Sequence, residues 1–260
     1  MKLDLTGKTA LITGASKGIG YSCALTLADE GCNLHIAARD GKALEALKAE
    51  ITAKYNVSVT VHAGDLGTTE AMIALDKAAG DYDILINNAG DIPAGSIEDV
   101  TDEALRRGFD LKVFGYITLS RLFWQKRKGK PGSVIINVIG NSGENWDASY
   151  FAGSTGNASL MSFTKALGGR SMDHGIRVVG VNPGPVDTDR MLKIMKRKAI
   201  DMLGDESRWE ELHEMYPGKR PATAQEVADL CTFLASPKAG YISGTIVTID
   251  GGIAARGSVI

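Results

Sequence analysis

Seven short apolar, β-branched runs punctuate the chain, at residues 9–13, 33–37, 58–62, 84–87, 134–138, 177–181 and 245–249. Most are apolar throughout rather than alternating, which is how parallel strands buried on both faces read. Stretches with helical periodicity lie between them, near 18–30, 40–54, 68–79, 102–127, 154–174 and 224–235. Thr101 ahead of Asp102 and Glu103 has the form of an N-cap followed by dipole-matched acids. Thr223 with Glu226 has the form of a capping box. Strand and helix alternating in this way predict an α/β fold: a Rossmann-like, doubly wound parallel sheet of about seven strands with helices on both faces. The 260 residues suit a single domain. Ligands of such sheets sit beyond the carboxyl ends of the strands, so strand-end residues carry the functional reading.

Composition narrows the function classes. Lys and Arg total 29 against 31 Asp and Glu, a formal net charge of −2, so there is no cationic excess to neutralise a nucleic-acid backbone. No run approaches the ~18 apolar residues of a membrane span. The opening Met1-Lys-Leu-Asp-Leu-Thr lacks the apolar centre of a secretory leader. Three cysteines (Cys23, Cys32, Cys231) form no paired motif, which suits reduced thiols and a cytoplasmic setting. The four histidines are scattered, and no metal site is expected.

Glycine is the compositional outlier, 31 of 260, and it is concentrated in motifs. The first run leads into Gly14-Ala-Ser16-Lys17-Gly18-Ile19-Gly20 and then a helical stretch. Glycines at this junction let the backbone turn sharply and approach a pyrophosphate, while the helix N-terminus offers N–H donors. Further motifs close later strands: Asp65-Leu66, Asn87-Asn88-Ala89-Gly90, Asn182-Pro183-Gly184-Pro-Val186-Asp-Thr188 and Asp250-Gly-Gly252. Together these resemble the short-chain dehydrogenase/reductase family over almost the whole chain. The resemblance implies a nicotinamide dinucleotide, with its phosphates on the glycine loop, its adenine at Asp65 and Leu66, and its carboxamide near Pro183, Gly184, Val186 and Thr188. It also implies a small-molecule substrate and assembly as a homodimer or homotetramer. Relatives that use NAD place an acid after the second strand. Here Ala38 takes that position and Arg39 follows; with Lys17, two cations suit the 2′-phosphate of NADP(H), NAD being the less favoured cofactor, although Asp40 could neutralise Arg39.

The resemblance fails at the proton-handling positions. The family uses Asn, Ser, Tyr and Lys. Lys112 stands where the Asn is expected and Gly140 where the Ser is expected. One register sets Tyr150 and Ser154 at the Tyr and Lys positions. A second, favoured by the gapless match of Gly153–Leu160, sets Gly153 and Asn157 there. The favoured register suggests a rearranged site. Lys112 brings its ammonium to the nicotinamide ribose with Asn157 as hydrogen-bond partner, and Tyr150 swings into space left by Gly140 and Gly153 as proton donor. Ser142, Glu144 and Asn145 are alternative reacting groups, and a cofactor-binding scaffold or sensor without turnover is the alternative function.

Residues 189–217 correspond to the family's substrate lid. Met191, Leu192, Ile194, Met195, Met202, Leu203, Trp209, Leu212 and Met215 would line it and suit a lipophilic carbonyl or alcohol. Lys193, Lys196, Arg197 and Lys198 read as its solvated outer face.

Overall fold

The computed structural model describes residues 2–256, apart from the side chains of Arg190, Lys193 and Asp201. The strands of the main sheet are β1 (Thr9–Thr13), β2 (Asn33–Ala38), β3 (Val59–Ala63), β4 (Ile84–Asn87), β5 (Ser133–Val138), β6 (Ile176–Pro183) and, after two short strands described below, β9 (Thr245–Ile249). They lie in the order β3-β2-β1-β4-β5-β6-β9, all parallel. The order reverses between β1 and β4, and the crevice at that switch point is where such sheets bind ligands. Every residue of β5 is buried, the polar Ser133 and Asn137 included.

Helices α1 (Gly18–Asp29), α2 (Gly41–Lys54) and α8 (Ala224–Ala235) cover one face, where Leu27, Leu47 and Val227 join Ile12, Ile36 and Ile86 from the strands. Helices α3 (Thr69–Ala79) and α5 (Gly115–Arg127) cover the other, where Leu75, Leu119 and Phe123 meet Leu11, Leu85 and Ile135. Helix α6 (Phe151–Gly168) extends that second layer. Thr101 caps α4 (Asp102–Phe109) through the Ala104 amide, and Thr223 with Glu226 completes the capping box of α8. The three cysteines are free and buried, and burial first, with nearby carboxylates, pushes the Cys32 thiol up to about 12.

Three local departures from the sequence reading have physical causes. The 102–127 segment is not one regular helix: α4 and α5 are joined by a π-helical turn at Asp110–Phe114. Such turns insert a residue into the helix and re-aim its side chains. The next long helix spans Phe151–Gly168, starting earlier than read, and gives way to a 3₁₀ turn at Ser171–His174; its last residue packs so closely on Gly244 that a Cβ there would lie 2.5 Å from that backbone. Residues 189–217 contain α7 (Asp189–Leu203), flanked by the short pair β7 (Val186–Asp187) and β8 (Ala222–Thr223), and a 3₁₀ segment at Glu206–Met215. Met195 and Leu212 are buried between α7 and that segment, with Leu203 and Trp209 packed against them. Among the described residues no helix is long and apolar enough to cross a membrane, and no group of three or more His, Cys, Asp or Glu could hold a metal ion.

Candidate active site

The turn after β1 is closed by contacts that leave no room for side chains. The Gly14 amide donates to the Ala37 carbonyl at 2.7 Å. A Cβ on Gly20 would lie 2.4 Å from the Gly14 carbonyl oxygen and 2.6 Å from Asn88 Nδ2. Asn88 belongs to the motif after β4 and ties it to β1: its Nδ2 donates to the Thr13 and Gly14 carbonyls, and the Asn88 and Ala89 amides both donate to Thr13 Oγ1. Helix α1 then begins with no side-chain cap and no acid in its first turn. Its first N–H groups are left for an external anion.

A cavity of about 710 Å³ opens above this turn. The glycine loop contributes Gly14, Ser16, Lys17, Gly18 and Ile19 to it, and Arg39 enters just past the end of β2. Asp65 and Leu66 line it from the end of β3, Asn88, Ala89 and Gly90 from the end of β4, and Thr188 from the far side. Gly20 lies beneath, holding the turn. Asp40 does not neutralise Arg39; its carboxylate caps α2 through the Ala43 amide. Arg39 instead pairs with Asp91 at 3.3 Å, both side chains more than half exposed.

A second cavity, about 510 Å³, adjoins the first and shares Asn88, Gly90 and Thr188 with it. Pro183, Gly184 and Val186 line it, as do Lys112, Tyr150 and Asn157. The three suspected proton-handling residues are therefore gathered at one place by two elements, the π-helical turn and α6, of which Tyr150 is the N-cap. Lys112 arrives on the π-helical turn, its stem crossing Gly90 where a Cβ would meet Cδ at 2.9 Å. Its ammonium donates to the Ile139 carbonyl just beyond β5. The Tyr150 ring lies over Gly153: a Cβ at 153 would fall 2.0 Å from Cε1 and 2.1 Å from Cζ. The phenol ring thus occupies volume that a side chain at 153 would claim.

Two details of the expected arrangement are corrected. Asn157 is not the hydrogen-bond partner of Lys112; its Nδ2 donates to Ser142 Oγ at 2.8 Å, and its buried Oδ1 accepts no hydrogen bond. The space at Gly140 goes to Asn157 rather than to Tyr150, since a Cβ there would lie 2.8 Å from Asn157 Nδ2. Gly140 also has φ 131°, a backbone that other residues rarely adopt. Ser154, from the other register, turns away and accepts from the Asp147 amide at 3.4 Å. Of the alternative groups, Ser142 and Asn145 line the cavity, while Glu144 is exposed outside it.

The lid residues divide. Met191, Ile194 and Met215 reach the cavity, joined by Tyr216. Leu192 does not line it; Met195, Leu203, Trp209 and Leu212 go to the small core between α7 and the 3₁₀ segment, and Met202 is exposed. The charges divide too: Lys196 pairs with Glu206, but Lys198 lines the cavity, against the reading of an outer solvated face, and the side chain of Lys193 lies outside the described residues. Sequence reasoning missed Asp91, Asn141 and Asp147, and read Asp250 only as part of a strand-closing motif. Burial opposes ionisation of Asp250, but bonds from the Ala254 amide, the Asn141 side chain and the Gly252 amide outweigh it and hold the carboxyl below its usual range.

A family described as enoyl-(acyl carrier protein) reductase matches residues 14–254. The chain belongs to the short-chain dehydrogenase/reductase family. Among curated relatives, the NADPH-dependent reductase BacG of Bacillus subtilis is 34% identical over 260 residues, covering 95% of this chain and 98% of that one. Among solved structures, L-sorbose reductase from Gluconobacter frateurii complexed with NADPH and L-sorbose superposes with a TM-score of 0.88 at 29% identity, covering 98% and 99% of the two chains. YwfH, an NADPH-dependent reductase involved in bacilysin biosynthesis, gives 0.87 at 31%, covering 94% and 97%. The seven-stranded parallel sheet and the glycine turn are those of this family's fold.

Proposed function

We propose that this short-chain dehydrogenase/reductase is an NADP(H)-dependent reductase of small carbonyl compounds whose proton donor is Tyr150, supplied from one helical turn before the family's usual position. One observation carries the reading: the Tyr150 ring overlies Gly153, on the wall shared with Lys112 and Asn157. A glycine on its own would leave a hole; a glycine with a phenol ring laid on it replaces what is missing.

The residues fit the cofactor. The glycine turn admits no Cβ at Gly20, α1 presents an uncapped N-terminus, and Arg39 and Lys17 stand where a 2′-phosphate would be met. The orphaned, buried Oδ1 of Asn157 is an acceptor suited to a ribose hydroxyl. When bound, the dihydronicotinamide supplies a hydride to the carbonyl carbon. Tyr150 donates its phenolic proton to the carbonyl oxygen as charge develops there. Ser142, held by Asn157, offers a hydroxyl to orient that oxygen. Lys112, anchored on the Ile139 carbonyl, places a positive charge at the end of β5. Met191, Ile194 and Met215 favour an apolar body on the substrate. The strap of residues 189–217 closes that side, and Phe114, 56% exposed beside α5, is an apolar group that a second copy in a homodimer or homotetramer would cover.

The test follows NADPH oxidation with a panel of aldehydes and ketones for the unaltered chain, Lys112→Ala and Tyr150→Phe. Both variants should lose most of their activity; full activity in both would return the function to groups other than these, or, with no activity in any, to a cofactor-binding scaffold.

A further inference from the structure

The second cavity is amphipathic. Met191, Ile194 and Met215 form an apolar wall, while, among the described residues, Lys112, Lys198 and Arg256 bring three cationic side chains to the lining against one carboxylate, Asp147. The whole chain carries a formal net charge of −2, so this positive excess is local to the cavity. Lys112 is committed to the Ile139 carbonyl. Lys198 and Arg256 remain, and each is placed by separate structure.

Lys198 projects from α7, the helix that also supplies Met191 and Ile194. It acts on Asp147: the Ser149 hydroxyl, with further help from the Ser149 amide and the Lys198 ammonium, outweighs partial burial and keeps that carboxyl below its usual range. Arg256 sits at the end of a turn built on Asp250, whose carboxylate accepts the Gly252 and Ala254 amides at 2.8 Å each, while the Arg256 amide donates to the Ile253 carbonyl. Helix α6 adds to the field, since it starts beside the cavity with no side-chain cap and no acid in its first turn. Lys198 and Arg256 are both exposed at the cavity's edge, so an uncharged molecule seated there would displace part of their hydration with no charge to offset it. A carboxylate seated there would replace that water with charge-assisted hydrogen bonds.

We infer that the substrate is an oxo acid, its carboxylate held by Lys198 and Arg256 while its carbonyl lies toward Tyr150 and its apolar part against the methionines. This deepens the reductase reading and rests on it for the carbonyl alone. The anion site can be measured without turnover. The chain saturated with NADP⁺ is titrated calorimetrically with 2-, 4- and 5-oxohexanoate, each beside its own amide, so that carbonyl-to-carboxylate spacing varies at constant size. At least one acid should bind about tenfold or more tightly than its amide. That preference should shrink as salt is raised and fall to about twofold or less in the Lys198→Met/Arg256→Met double variant. Each single variant should show an intermediate loss, and retained NADP⁺ binding shows that the variants are folded. Equal or undetectable binding of acid and amide in all three pairs overturns the inference, as does a preference that survives loss of both cations. The two readings fail separately: an acid preference without hydride transfer removes the reductase and leaves the anion site, whereas amides reduced as well as acids remove the anion site and leave the reductase.

Discussion

The contact between Tyr150 and Gly153 makes Gly153→Ala the most informative single change. Alanine is favoured over glycine inside a helix by about 1 kcal/mol, and Gly153 lies within α6. For a chain of this size 1 kcal/mol moves the melting temperature by about 2–4 °C. The added methyl, however, would lie 2.0 Å from Cε1 and 2.1 Å from Cζ of Tyr150, well inside contact distance. The obstructing atoms belong to a side chain at the helix entrance, which can rotate away, so the fold need not yield. The ring must then leave its place. Removing a positioned proton donor costs about 10²- to 10⁴-fold in rate. Gly153→Ala should therefore melt at the same temperature or a few degrees higher while kcat/KM falls by about 100-fold or more, approaching Tyr150→Phe. The double variant should be no worse than either single change, because both remove one group. Differential scanning calorimetry and NADPH oxidation at saturating cofactor read the two halves. A variant that melts several degrees lower with proportionate activity would show that the ring merely packs. Unchanged activity would show that its position is immaterial.

Cofactor choice is tested at Arg39. Arg39→Ala should weaken NADPH by about tenfold or more, in line with about 1.5–3 kcal/mol for a charge-assisted bond, with NADH little changed; equal losses for both would place Arg39 on the adenine instead. Asp91 competes for Arg39 through an exposed ion pair of at most about 1 kcal/mol, so Asp91→Asn should tighten NADPH by up to about fivefold and leave NADH unaltered, as fluorescence titration would read. The third prediction concerns pH. His35 on β2 and His62 on β3 share a 2.9 Å bond between Nδ1 and Nε2, and burial, with mutual repulsion added for His35, lowers both pKa values. Groups depressed in the folded state stabilise it fully above the unfolded pKa of about 6.5 and lose that contribution as pH falls through the folded values. Melting temperature should drop below about pH 6.5, and His35→Gln/His62→Gln should flatten that drop; an equal slope in the double variant would assign it to the carboxylates.

The features legible in the sequence were those with short-range causes. Short apolar-rich, β-branched runs located all seven strands of the main sheet, most clearly the central ones, which are buried on both faces, and less so the edge strands β3 and β9, which are partly exposed. The capping threonines 101 and 223 worked for the same reason: cap and helix are neighbours in sequence. The π-helical turn at Asp110–Phe114 left no such mark, since Lys112 is directed by Gly90 and the Ile139 carbonyl, remote in the chain. Helix α7 was obscured by a mixture of lysines and methionines, some of which serve a local core and others the cavity. Arg39 was read beside Asp40, its neighbour in sequence, whereas the fold pairs it with Asp91, which the β4 turn brings across from β2.

The wall of the proposed site keeps its volume with residues other than the family's usual ones. On the favoured register two glycines stand where the family places a serine and a tyrosine, and in isolation each reads as a deletion. In the fold each is matched by a particular neighbour: Gly153 by the Tyr150 ring and Gly140 by the Asn157 amide. Close packing explains the pairing, since an unfilled hole of side-chain size in a buried wall costs several kcal/mol. Residue identity at a fixed alignment position therefore underestimates what the wall presents. The relevant comparison is between the groups that reach the cavity, and here those include a phenol, a serine hydroxyl and an ammonium. That set is what carbonyl reduction needs at its reacting oxygen, which is why the proposed reading places the proton donor on this wall.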